Sequence, residues 1–171
     1  MHIKINEAEF NSLENREIGH ACFSPIIPMI RGKSLEVKQQ IYHQLSPGQK
    51  ALFMFFAYHN HAIHSLHEFF WWSSYYYAQP KAWSEIMNSL RYFNAHSMLK
   101  IMEEIDKFLN EAKFPKALEE FTPSQKEIES YSNLPIIQSL YPKFKDITQE
   151  TLIKIGKNIR NNPNQFIDLE G

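Results

Sequence analysis

The sequence predicts an all-α protein, a single-domain helical bundle spanning residues 1–171 around a long central aromatic-rich helix at about 47–73. Three observations carry that expectation. Only five glycines occur in 171 residues, and none lies between Gly48 and Gly156. No stretch alternates apolar and polar residues with β-branched enrichment, as a half-buried strand would. Apolar residues instead recur at spacings of three and four, the mark of helices with one buried face.

Taken in order, a short helix is expected from about Asn6 to Ile18, ending at Gly19. Pro25 and Pro28 exclude a regular helix from CFSPIIPMIRG, which is expected to be extended. A helix from about Ser34 to Gln44 follows. Ser46-Pro47-Gly48-Gln49 then offers a hydroxyl N-cap, proline at the first helical position and glutamine at the third, a capping box. Thr122-Pro123-Ser124-Gln125 repeats that chemistry. From Pro47 the central helix carries Leu52, Phe56, Ile63, Leu66 and Phe70 on one face. Phe53, Ala57, Trp71 and Trp72 lie on another, so neighbours are expected on both sides. Pro80 opens a helix to about Phe93 with Trp83, Ile86, Met87, Leu90 and Phe93 as its stripe. Asn94 is expected to cap the next, whose stripe is Ala95, Met98, Leu99, Met102, Ile105, Leu109 and Ala112. Beyond Pro115 the prolines at 123, 135, 142 and 163 predict shorter, proline-broken helices, the last over Thr148–Asn161.

Composition narrows the function. A formal net charge of −1 gives no field for bulk attraction to nucleic acid, so no nucleic-acid partner is expected. Asn60, Glu68 and four histidines interrupt the apolar segment 51–77, which argues against a membrane span. The N-terminus lacks the basic and apolar regions of a signal peptide. Cys22 is the sole cysteine, expected to be an inert buried thiol in a reducing, cytoplasmic compartment.

Residues 53–77 hold 11 of the 24 aromatic residues and four of the eight histidines. If the helix is continuous, His61, His64 and Glu68 project from one face, and imidazole with carboxylate is a ligand set for a divalent transition metal. His67 lies too far around the helix from His61 to share an ion. No Glu-x-x-His pair on a second helix completes a carboxylate-bridged site, so no cofactor is expected in the principal reading. His59 is expected to be a buried, hydrogen-bonded core histidine. Gly32-Lys33-Ser34 lacks the first glycine of a phosphate-binding loop, and no nucleophile elbow is present. The five basic residues between Lys143 and Arg160, and the acidic Glu103, Glu104, Asp106 and Glu111, read as solvated helix faces. Trp71, Trp72, Tyr75, Tyr76 and Tyr77 are too many large rings for one helix end to bury. They form the candidate recognition site for a protein partner or a second copy, since tyrosine and tryptophan anchor interfaces.

The layout from Leu45 to Asn110 resembles a family of uncharacterised bacterial all-helical domains that includes DNA-mimic proteins. The residues that carry it are LSPGQKALFMFF, the HEFF at His67–Phe70, and EIMNSLRYFNAHSMLKIMEEIDKFL. The family's Asn-Gly-Gly turn is absent; Ile63-His64-Ser65 stands where it should fall. The resemblance implies a helical fold and a non-enzymatic role, but the near-neutral charge departs from a DNA mimic. The expected function is therefore binding of a macromolecular partner or an apolar ligand. The alternative is a metal-dependent enzyme built on His61, His64 and Glu68.

Overall fold

The computed structural model describes Met1–Gly171. Its helices are α1 (Glu7–Ser12), α2 (Asn15–Phe23), α3 (Ile27–Ile30), α4 (Leu35–Gln44), α5 (Pro47–Ala62), α6 (Leu66–Tyr77), α7 (Pro80–Tyr92), α8 (His96–Glu111), α9 (Gln125–Ser132) and α10 (Pro135–Asn161). Three 3₁₀ turns connect them at Ser24–Ile26, Leu118–Glu120 and Pro163–Gln165. The all-α expectation holds, with one addition. Residues Lys4–Asn6 (β1) and Asp168–Glu170 (β2) pair in parallel, Ile5 opposite Leu169. These strands are too short to show a period-two pattern.

The capping box forms as the sequence predicts. Ser46 Oγ accepts from Gln49 N at 3.1 Å, and Gln49 Oε1 accepts from Ser46 N at 3.0 Å. The same buried glutamine also donates to the carbonyls of Met1 (2.9 Å) and Phe166 (2.8 Å). One side chain thus starts α5 and ties both ends of the chain to it. At the second site the cap shifts: Ser124, not Thr122, is the N-cap, with Glu127 as its reciprocal partner.

The main correction concerns the central helix. It is not continuous over 47–73 but stops at Ala62, reverses through Ile63–Ser65 and resumes at Leu66. Ser65 has extended backbone angles and accepts from Glu68 N at 3.1 Å, so it caps a new helix. Tyr141 donates to the turn carbonyl of Ile63 at 3.0 Å. α5 and α6 therefore lie antiparallel. Tyr58 Oη sits 2.8 Å from Ser73 Oγ, and Tyr76 donates to the carbonyl of Ala57 at 3.2 Å. Neighbours still cover α5 on several sides: α2, α6 and α7 all pack on it.

Other boundaries move for local reasons. Gly19 lies inside α2 rather than ending it, and a Cβ there would come within 3.0 Å of Ile155 Cγ2. The segment around Pro25 and Pro28 is helical, because each proline falls in a first turn where the missing N–H has no helical acceptor. Asn94 takes a positive φ of 53° and terminates α7, while Ala95 is the N-cap residue of α8. The expected short C-terminal pieces are one helix of 27 residues, α10, which continues through Pro142. Pro142 is exposed, so water can serve the carbonyl that lost its donor.

A single apolar cluster of 38 buried residues draws on elements from β1 to the C-terminus. α10 crosses α2 so closely that a Cβ on Gly156 would meet the Asn15 carbonyl oxygen at 1.8 Å. Arg160 locks the crossing by donating to Asn15 Oδ1 at 2.8 Å and to the Leu13 carbonyl. His59 is buried as expected, stacked on Phe55 and beside Phe144, but its hydrogen bonding falls short of the expectation: Nε2 has only a 3.5 Å contact to Thr148 Oγ1, and Nδ1 has no partner. Burial drives its pKa down from 6.5 to about 4.

Two outcomes follow. Gly156→Ala should cost about 3 kcal/mol or more in chemical denaturation, because backbone rather than a movable side chain blocks the new methyl. Stability should also fall with pH through His59. Its folded pKa lies below the unfolded one, so the unfolded chain binds the extra proton. Stability is complete above about 6.5 and is lost as pH falls toward 4, on the order of 3 kcal/mol. Denaturation at pH 7 and pH 5 should show the loss for the native chain, and His59→Gln should lessen it.

Candidate functional site

The sequence of α6 places two different surfaces on its two sides. Phe69, Phe70, Ser73, Ser74 and Tyr77 are buried, a set spaced four and one apart. Glu68, Trp71, Trp72, Tyr75 and Tyr76 occupy the other side; Glu68 is exposed and the four rings are half-buried. The helix thus buries its two serines and leaves three large rings, Trp71, Trp72 and Tyr75, at the surface, with Tyr76 turned onto the Ala57 carbonyl of α5. The serines satisfy themselves: Ser73 Oγ donates to the Phe69 carbonyl at 2.6 Å, and Ser74 Oγ to that of Phe70 at 2.8 Å. Ser73 also meets α5, with Tyr58 Oη 2.8 Å from its Oγ. Phe69 meets Tyr141 and Phe144 of α10, while Phe70 meets Phe108, Phe114 and Tyr131.

The outward rings form one continuous strip. His61 stacks on Trp72 at 4.0 Å, Trp72 lies edge-on to Tyr75 at 5.4 Å, and Tyr75 stacks on Trp71 at 5.0 Å. Phe121, from the segment between α8 and α9, closes the far end 5.8 Å from Trp71 and 5.9 Å from Tyr75. Rings of this kind prefer offset and edge-to-face contact, so the strip is held rigid by its own members. Phe121 also walls an open cleft of about 200 Å³ with Phe114, Pro115, Ile128 and Tyr131. Glu68 on α6, and Glu119 and Glu120 just before Phe121 in the chain, are exposed, and none is in an ion pair.

Of the five rings singled out by sequence, four belong to this strip. Tyr76 is its inner member; burial, then the neighbouring Tyr75, push its phenol up to about 12. Tyr77 does not belong. It is 4% exposed, packs on Trp83 at 6.2 Å, and donates to Asn110 Oδ1 at 3.4 Å. Phe121 and the ring of His61 were not visible as members, because neither periodicity nor a motif links residue 121 to α6.

The break at Ile63–Ser65 removes the premise on which His61, His64 and Glu68 shared one helical face. His61 ends α5, His64 lies in the turn, and Glu68 is in the first turn of α6. Glu68 accepts from Trp72 Nε1 at 2.6 Å, and His61 rests on the same indole. Partial burial lowers the His61 pKa against the opposing pull of Glu68. No three His, Cys, Asp or Glu side chains gather as a metal-ligand group. Cys22 is 1% exposed, and burial raises its thiol to about 12, an unreactive group at neutral pH.

A second cleft of about 360 Å³ lies between α7 and α8 and includes Trp83, Arg91, Glu103 and Asp106. Its charges are occupied: Trp83 Nε1 donates to Asp106 at 2.7 Å, and Arg91 approaches Glu103 at 3.7 Å. The chain matches no known family model, no curated protein and no solved structure.

The two sides of α6 should separate in stability measurements. Phe70→Ala should cost about 3–5 kcal/mol as a core truncation. Leu66, now a half-buried first-turn residue, should cost less when truncated, and Tyr75→Ala should cost about 1 kcal/mol or less. Equal losses at Phe70 and Tyr75 would mean that the outward face is core.

Proposed function

We propose that this protein works by binding a macromolecular partner on the outward face of α6, and not by catalysis. The observation that carries the proposal is the division of that helix: two serines are buried while Trp71, Trp72 and Tyr75 reach the surface. Phe69, Phe70 and Tyr77 fill the core side, and leaving three further rings partly exposed forgoes burial that a purely structural helix would keep. Partly exposed tryptophan and tyrosine, braced by one another before binding, lose little freedom on contact and anchor interfaces efficiently. The resemblance of Leu45–Asn110 to a non-enzymatic helical family points the same way, and the reversal at Ile63–Ser65 falls where that family has its turn. No helix is long and apolar enough to cross a membrane, and an unpaired, buried cysteine fits a cytoplasmic setting.

A photo-crosslinking residue at Tyr75 should yield a discrete adduct in cells that is lost with Trp71→Ala. The same residue placed at the exposed Lys157 should not. Equal labelling at both positions, or none at Tyr75, would contradict the proposal.

The metal-enzyme alternative uses His61, His64 and Glu68. It requires Glu68 to leave Trp72 Nε1 and to meet both imidazoles across the turn. Elemental analysis of purified protein should find far less than one transition metal per chain. A value near one ion, lost in His64→Ala, would replace the binding proposal with the metal reading.

A further inference from the structure

Helices α3 and α4 bury no residue at all, unlike every other α-helix in the chain. Their apolar side chains nevertheless reach solvent: Met29 is 41% exposed and Leu35 is 71% exposed, the largest value among the exposed large hydrophobic residues. Gly32, at a φ of 70°, turns the chain sharply between the two helices, so these residues stand out as a corner. Charge on the corner is one-sided. Residues 27–38 contain Arg31, Lys33 and Lys38 against a single acid, Glu36. All three basic side chains are exposed and none is in an ion pair.

The strip on α6 is the complement of this corner. It offers Trp71, Trp72, Tyr75 and Phe121 as an apolar platform, and Leu118, three residues before Phe121 in the chain, is 40% exposed. Its acidic side chains are Glu68, which accepts from Trp72 Nε1, and Glu119 and Glu120, next to Phe121 in the chain; none is in an ion pair. No lysine or arginine occurs in the chain between Lys50 and Lys81, and residues 117–130 hold four glutamates against one lysine. Apolar with basic therefore faces apolar with acidic, and an arginine can both pair with carboxylate and lie flat on an indole or phenol.

We infer that the partner of the α6 strip is a second copy of this chain, whose α3–α4 corner docks on it through Leu35, Arg31 and Lys33. This rests on the proposal that the strip is a binding face and names its occupant. Both halves of the contact lie on one chain and are otherwise unpartnered. The two patches differ, so the contact is head-to-tail: each docked copy keeps one free corner or one free strip, and the assembly extends or closes into a ring.

The test is a concentration series followed by light scattering and sedimentation, with two variants. The corner variant is Leu35→Asp with Arg31→Glu; the strip variant is Trp71→Ala with Tyr75→Ala. Circular dichroism confirms that both fold. The mass of the native chain should rise with concentration from 20.2 kDa to that of a dimer and beyond, less steeply at high salt. Each variant alone should associate at least about ten-fold more weakly. An equimolar mixture should form a dimer that grows no further, because one variant supplies the strip and the other the corner. A native chain that stays monomeric into the sub-millimolar range would overturn the inference. So would a dimer that both variants leave intact, or a mixture that fails to restore association. If the native chain is monomeric while Tyr75 still crosslinks to a different protein, this inference falls and the binding proposal stands. If Tyr75 crosslinks to nothing, both fall.

Discussion

The reversal of the backbone at Ile63–Ser65 is the constraint on which the rest of the molecule depends. Residues 53–77 are so rich in large rings that a straight helix could not bury them all from one side. Folding the segment into α5 and α6 lets the two halves cover each other along one line, with Tyr58 against Ser73 and Tyr76 against Ala57. The turn needs no glycine, because the cap at Ser65 supplies an acceptor for the new helix and Tyr141 satisfies the carbonyl left at Ile63. The Glu68 N–H and the Ile63 carbonyl, two of the groups freed by breaking a helix here, are thus paired within the chain.

From that turn the placement of the other helices follows. Ser73 meets α5 directly, its Oγ 2.8 Å from Tyr58 Oη. Phe69 and Phe70 then divide the core between α10 on one side and α8 with α9 on the other. What the hairpin cannot cover is the outer side of α6. The rings there stabilise one another by stacking and edge contact, with Phe121 as a stop at one end and His61 at the other. Glu68 holds Trp72 in place through its indole N–H, so the one formal charge on α6 fixes the orientation of a ring in the strip. Its role is positional in the free chain, whatever it meets in a complex.

Much of this was legible in the sequence. The stripes of α7 and α8 and the cap at Ser46 were each encoded locally, by spacing or by a few adjacent residues. The buried His59 was equally visible from its neighbours. The break at Ile63–Ser65 was encoded too, since Ser65-Leu66-His67-Glu68 has the S-x-x-E form of a helix start. Continuous apolar content on both sides masked it. Pro142 misled in the opposite direction: proline disfavours a helix interior, but exposure of that turn lets α10 run on. The strands were hidden because three-residue pairs carry no period, and their register depends on contacts between residues 160 or more apart. The candidate site was half legible. Four rings of the strip share one helix and could be read together, whereas Phe121 arrives from a segment that only the tertiary fold brings near.

The claim that most needs direct measurement is the reversal itself. Spin labels at Lys50 and Gln79 sit near the open end of the α5–α6 hairpin, and pulsed dipolar spectroscopy reads the distance between them. Two packed antiparallel helices place the labelled positions within about 25 Å, given axes roughly 8–10 Å apart and allowing for label length. A continuous helix separates them by roughly 43 Å at the standard rise per residue. A distribution centred below about 25 Å is the result this account predicts. One centred near 43 Å would contradict it, and with it the inward serines, the outward rings and the site they form.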